Sequence, residues 1–194
     1  MYKVSLKSLA LGVAAALAFV GITTGAQAQS DTVEVSATLR QAVTVTTQTD
    51  VSFGDVDVNL SGSGSLTLNP DGSFSTSGSD ITSAGTGSIT AGQIDITGAN
   101  GVSIDVSCSA ATVANASAET IAVPTNIANG TASSGTACGG VGATAITVSL
   151  TGGATSLHMG ATLALANMGS VTTTGAFSST NSGGAASTVQ AVYQ

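Results

Sequence analysis

The chain of 194 residues carries ten acidic and three basic residues, for a formal net charge of −7, and only 3% of its residues are aromatic. The basic residues are Lys3, Lys7 and Arg40, so the sequence has almost nothing with which to neutralise phosphate groups. Nucleic acids and anionic membrane surfaces are therefore excluded as partners. Valine, isoleucine and leucine recur often enough to form a core, and the β-branched members of this set favour strands.

Residues 1–28 have the organisation of a secretion signal. Two lysines lie near the start, an apolar run follows at 9–20, and Ala-Gln-Ala at 26–28 supplies the small residues that signal peptidase requires. The apolar run is shorter than the roughly 20 residues of a membrane-spanning helix, so no membrane span is expected. We predict that the mature chain begins at Gln29 and works outside the cytoplasm.

Residues 29–40 form a short segment ahead of the main domain, and apolar and polar side chains alternate along it. The apolar set is Val33, Val35, Ala37 and Leu39. In an extended strand this alternation places all four on one face. The segment is predicted to be either an ordinary first strand or a donor strand that is given to a neighbouring molecule.

Residues 41–194 repeat a period of two almost throughout, which is typical of strands. The alternating apolar positions include Val56 and Val58, Leu66 and Leu68, Ile94 and Ile96, Ile104 and Val106, Ile121 and Val123, Ile146 and Val148, Leu163 and Leu165, and Val189, Ala191 and Tyr193. No stretch has a convincing helical period. The pattern predicts a single all-β domain, built as an antiparallel sandwich.

Two turn sequences predict how neighbouring strands are joined. Asn-Pro-Asp-Gly at 69–72 is a strong turn signal and predicts a hairpin whose returning strand carries Phe74. Gly-Ala-Asn-Gly at 98–101 predicts a second hairpin, between the strand of Ile94 and the strand of Ile104.

Cys108 and Cys138 are the only cysteines, and an even number in an exported protein indicates a disulfide. Closing a loop of about 30 residues stabilises the fold by roughly 3–4 kcal/mol in the chain-entropy model. The alternative is a redox or metal-binding pair. The spacing does not fit a Cys-x-x-Cys motif, and the single histidine, His158, cannot complete a zinc site.

The residues needed for catalysis or for a cofactor are missing from the sequence. A Ser-His-Asp triad could use only His158, and no Gly-x-Ser-x-Gly motif occurs. Asp55, Asp57 and Asn59 have the 1-3-5 spacing of a calcium loop, but leucines stand where its glycine and glutamate belong. We expect no enzyme activity, no cofactor and no bound metal.

Four segments carry a resemblance to a known family. They are Val-Ser-Phe-Gly-Asp-Val at 51–56, Ile-Asp-Ile-Thr-Gly-Ala-Asn-Gly-Val-Ser-Ile at 94–104, Leu-His-Met-Gly-Ala-Thr-Leu at 157–163 and Val-Gln-Ala-Val-Tyr at 189–193. With the signal peptide ahead of them, they resemble the secreted bacterial family called domain of unknown function 4402, which is similar to Mat/Ecp-type common pilins. The resemblance implies an immunoglobulin-like sandwich, displayed on Gram-negative surfaces in a fibre.

In chaperone–usher pilins, an N-terminal extension inserts into the next subunit and a C-terminal strand with a penultimate tyrosine meets the chaperone. The resemblance therefore implies that Val33, Val35, Ala37 and Leu39 are donor-strand residues, and that Val189, Ala191 and Tyr193 form the assembly strand. The implied partners are other copies of the chain, a periplasmic chaperone and an outer-membrane usher. Strand addition of this kind gains affinity from main-chain bonds and specificity from alternate side chains.

We interpret the sequence as an exported structural subunit of a bacterial surface fibre, a pilus or fimbria, that serves adhesion or biofilm formation. Its route would lead through the periplasm to the cell surface or the extracellular space. The alternative is a monomeric secreted or surface-attached binding module with a complete sandwich.

Overall fold

The computed structural model describes residues 34–169 and 171–194, and the predicted signal peptide lies outside this part. The expected all-β antiparallel fold is confirmed, and a single 3-10 turn at Leu165–Met168 is the only helical element of the described residues. The strands are β1 (Thr44–Thr49), β2 (Ser52–Phe53), β3 (Val56–Val58), β4 (Ser65–Leu68), β5 (Phe74–Ser77), β6 (Ile81–Ser83), β7 (Ile89–Thr90), β8 (Gly92–Thr97), β9 (Ser103–Cys108), β10 (Ala111–Ala114), β11 (Thr120–Val123), β12 (Thr125–Asn129), β13 (Thr136–Ala137), β14 (Thr144–Ser149), β15 (Ala154–Ala164) and β16 (Val189–Tyr193). The finer immunoglobulin-like assignment stays a prediction.

The larger sheet has the strand order β1-β8-β15-β12-β13, and all its pairs are antiparallel. Strand β15 is long enough to pair with β8 along its first half and with β4 along its second half. Strand β5 then pairs with β4. Along β8, Ile94 and Ile96 are buried and Gln93 and Asp95 are half-exposed, as a period of two predicts for a sheet with one buried face.

The smaller sheet has the order β14-β9-β16, with β9 in the centre. The main hydrophobic core takes buried side chains from both sheets. The larger sheet contributes Ile94, Ile96, Ile127, Leu157 and Met159, and the smaller sheet contributes Ile104, Val106, Cys108, Val148 and Leu150. The two sheets therefore pack face to face as a β-sandwich.

A second cluster of buried side chains extends the core along β15. It contains Leu66, Ile81, Ile121, Val123, Ala161, Leu165, Met168 and Val171. Ala161 of β15 belongs to this cluster, while Leu157 and Met159 of the same strand belong to the main core. One continuous strand thus holds both parts of the interior together.

The turn at 69–72 is confirmed as a hairpin, with Leu68 opposite Phe74. The hairpin predicted at 98–101 is wrong, because β8 belongs to the larger sheet and β9 to the smaller one. The backbone amides of Gly98 and Gly101 bond to the carbonyls of Gly153 and Leu150, instead of across a two-stranded turn. The loop therefore passes from one sheet to the other.

The predicted disulfide between Cys108 and Cys138 is confirmed, with the two Cα atoms 4.9 Å apart. It joins the end of β9 in the smaller sheet to the residue that follows β13 at the edge of the larger sheet. Two backbone bonds of 2.9 Å reinforce this link, from Gly140 to Cys108 and from Cys138 to Thr125. The disulfide therefore links the two sheets covalently.

Candidate functional site: an open groove and the two chain ends

The side of the sandwich away from the disulfide is open. There, β1 is the edge strand of the larger sheet and β16 is the edge strand of the smaller sheet. A groove with a volume of about 1100 Å³ runs between them and continues past the region 51–60. We call it the open groove.

The wall formed by β1 lacks the cover that a sandwich normally provides. All six residues of β1 are exposed, although the strand pairs with β8 on both sides of an irregularity at Gln48. Val45, Thr47 and Thr49 line the open groove, and Val45 remains 36% exposed. These side chains of β1 are therefore accessible from the open groove.

The wall formed by β16 offers an unpaired strand edge. β16 pairs with β9 along its whole length, and no other strand of the described residues pairs with it. Val189 lines the open groove, while Ala191 and Tyr193 pack against the main core. The free edge presents backbone N–H and C=O groups that can accept an added strand.

The continuation of the open groove is lined by larger apolar side chains. Phe53, Val58, Val113, Leu163 and Phe177 all line it, and all five are only half-buried although they pack against the second cluster. These side chains would gain further burial from a strand that brought its own apolar residues into the groove.

The predicted donor residues that lie within the described part of the chain are exposed to solvent. Val35 and Leu39 are 89% and 94% exposed, and residues 34–43 have no regular secondary structure. Ala37 is exposed as well, and Val33 lies outside the described residues. The apolar side chains of this segment are therefore not buried by the described part of the chain.

The predicted C-terminal strand is present as β16, with Val189, Ala191 and Tyr193 on its half-buried face. Tyr193 also makes contacts that the sequence did not indicate. Its hydroxyl donates to the carbonyl of Gln41 and accepts from the amide of Ala99, each at 2.6 Å. The guanidinium carbon of Arg40 lies 5.8 Å from the centre of its ring, within cation–π range.

A polar cluster around Glu119 secures the long segment that leads to β16. The carboxylate accepts hydrogen bonds from the Thr172 hydroxyl and amide, the Thr173 hydroxyl and the side-chain amide of Asn115. Because these donors stabilise the ionised form, with the Thr172 hydroxyl contributing most, the pKa of Glu119 falls to about 2. These hydrogen bonds tie the segment around Thr172 and Thr173 to the loop between β10 and β11.

His158 does not enter a triad with the nearest serine. The Ser156 hydroxyl donates to Asp95 at 2.6 Å, and this bond, followed by one from Gln93, lowers the pKa of Asp95. Within 34–169 and 171–194, no cluster of three or more His, Cys, Asp or Glu could hold a metal ion. No helix in the same ranges has the length and apolar character needed to cross a membrane.

Three features of the described residues can therefore support a functional proposal: the open groove, the exposed residues 34–39 and the Tyr193 contacts. Comparison of the chain with protein-family models, with curated proteins and with solved structures gives no match.

Proposed function

We propose that the chain is the exported subunit of a bacterial surface fibre, in which residues 33–39 of one copy occupy the open groove of the next. The single observation that carries this proposal is the open groove itself, with an uncovered β1 on one wall and an unpaired β16 edge on the other. Adhesion or biofilm formation would be the role of such a fibre.

The dimensions of donor and groove agree. An extended strand rises about 3.3 Å per residue, so residues 33–39 span roughly 23 Å. Strand β1, which forms one wall, has six residues and spans roughly 20 Å by the same rule. A donor of this length covers β1 from end to end.

The side-chain pattern of the donor also suits the groove. Val33, Val35, Ala37 and Leu39 fall on one face of a strand, and Glu34 and Thr38 fall on the other. The apolar face would pack against Val45 and the half-buried side chains of the groove, while the polar face meets solvent. Main-chain bonds to the free edge of β16 would hold the strand in place.

A chaperone and an usher fit the same features. A subunit with an unfilled groove exposes apolar surface and an unpaired strand edge, both of which favour aggregation. A periplasmic chaperone that covers β16 would protect the subunit until the next copy supplies its donor strand.

The second candidate is a monomeric secreted or surface-attached binding module, in which residues 33–39 fill the groove of their own chain. The observation that favours it is the chain length between donor and sandwich, because the four residues from Arg40 to Val43 are enough for a turn. Both candidates use the same groove and differ in which copy fills it.

The test uses the exported full-length protein and a variant that lacks residues 29–40. Light scattering after size exclusion and electron microscopy should show multimers or filaments for the parent, and folded monomers for the deletion. A peptide of residues 31–40 should bind the deletion variant, and the same peptide with Val35→Asp is the matched control. Filaments from the deletion variant would refute the donor role. A deletion variant that cannot fold would make the segment an integral strand.

A further inference from the structure

The phenol of Tyr193 ties the last strand to the residues just ahead of the first one. Its hydroxyl bridges the carbonyl of Gln41 and the amide of Ala99, and its ring faces the guanidinium of Arg40. The fit is close, since a Cβ added at Gly98 would lie 2.5 Å from the hydroxyl oxygen. The Tyr193 side chain therefore makes two hydrogen bonds and one cation–π contact, and it packs closely against Gly98.

The backbone held by these contacts does not reverse direction. Residues 39–43 contain neither turn nor bend, and Val43 already packs against the main core before β1 begins at Thr44. For residues 33–39 to fill the groove of their own chain, beside β1, the chain would have to turn back within residues 40–43. Such a turn would require Gln41 to release the Tyr193 hydroxyl.

We propose that Tyr193 is a positioning residue that keeps residues 40–43 extended, and so directs the donor strand into a second copy instead of its own groove. This inference rests on the proposed function. Self-insertion breaks only the bond to Gln41, and the loss of one neutral hydrogen bond shifts a conformational equilibrium roughly several-fold. A shift of this size changes how often residues 33–39 fill the groove of their own chain and how often they fill the groove of a second copy.

The test is Tyr193→Phe in the exported full-length protein, which keeps the ring and removes the hydroxyl. We expect the ratio of monomers to multimers to rise roughly several-fold, in line with the lost hydrogen bond to Gln41. The new monomers should be self-filled, so deleting residues 29–39 in the same background should lower their melting temperature. Val141→Ala, at an exposed position that does not line the open groove, is the control and should assemble like the parent.

Gly98→Ala is the second variant, because its Cβ would displace the hydroxyl without changing Tyr193. The same Cβ would lie 2.9 Å from Leu150 Cδ1, so the melting temperature of this variant is compared with that of the parent. Gly98→Ala should shift the monomer ratio in the same direction, which keeps the test valid if Tyr193→Phe folds poorly. Multimers in parental proportion from both variants would overturn the role of Tyr193 and leave the proposed function intact. A parent that is monomeric, with a melting temperature unaffected by the deletion, would overturn the proposed function itself.

Discussion

Val35→Asp is the substitution that most directly tests the donor strand. Val35 is 89% exposed in the subunit, so nearly its whole side chain is available for burial when the strand enters a groove. An aspartate at this position would bring an unpaired carboxylate into a groove whose lining includes Asp50 and Asp55 and no basic side chain to meet it. Because the residue is exposed before assembly, the subunit itself should fold as well as the parent.

The expected effect follows from two contributions. Burying a valine side chain stabilises a contact by about 1.5–3 kcal/mol, and this gain is lost. Burying the carboxylate, or protonating it first, adds a penalty of several kcal/mol. A total of at least about 4 kcal/mol corresponds to roughly a thousand-fold weaker association, since about 1.4 kcal/mol is a factor of ten.

The assay is sedimentation or size exclusion over a range of concentrations, together with a count of surface fibres by electron microscopy. Thr38→Asp is the matched control, because it adds the same charge on the opposite face of the strand. Val35→Asp should abolish multimers and Thr38→Asp should leave them. If both variants assemble like the parent, the alternating apolar face does not mediate assembly and the reasoning fails.

Three further predictions concern the groove, the disulfide and the polar cluster. Val113→Asp, in the half-buried wall of the groove, should reduce peptide binding to the deletion variant more than an exposed Val141→Asp does, as measured by calorimetry. Replacing both Cys108 and Cys138 by alanine should lower the free energy of unfolding by about 3–4 kcal/mol in denaturant titrations, given a loop separation of 30 residues. The pKa of Glu119 lies at about 2, below its ordinary value of 4.5, so its stabilising contribution is fully present above pH 4.5 and is lost as the pH falls through about 2. In Glu119→Gln, unfolding followed between pH 5 and pH 2 should lose this part of the pH dependence, and an unchanged profile would contradict the assignment.

The strands could be predicted from the sequence because burial on one face imposes a period of two. This holds for β8, β9 and β16, whose apolar positions were all placed on the correct face. The period of two could not show whether residues 98–101 join two strands of the same sheet. A turn sequence specifies the local bend, whereas the choice between one sheet and two depends on partners far along the chain.

The sequence also did not predict the short strands β6 and β7 or the contacts of Tyr193. β6 and β7 lie in a Ser/Gly-rich stretch whose composition is typical of a loop, and they pair with β3 and β2. The contact between Tyr193 and Gln41 joins residues 152 positions apart. The walls of the open groove depend on where both edge strands, β1 and β16, lie in the folded chain.

The position of Arg40 has a consequence for proteolysis. Only three residues of the whole sequence are basic, and Arg40 is the single one beyond Lys7. It is exposed, and it stands at the boundary between residues 29–39 and the sandwich. A trypsin-like protease would therefore find one cleavage point after the predicted signal, and exposed backbone of this kind is where nicking concentrates. Cleavage there would remove the donor segment and leave a domain that can accept a strand but can no longer offer one, so a growing chain of subunits would end at the nicked copy.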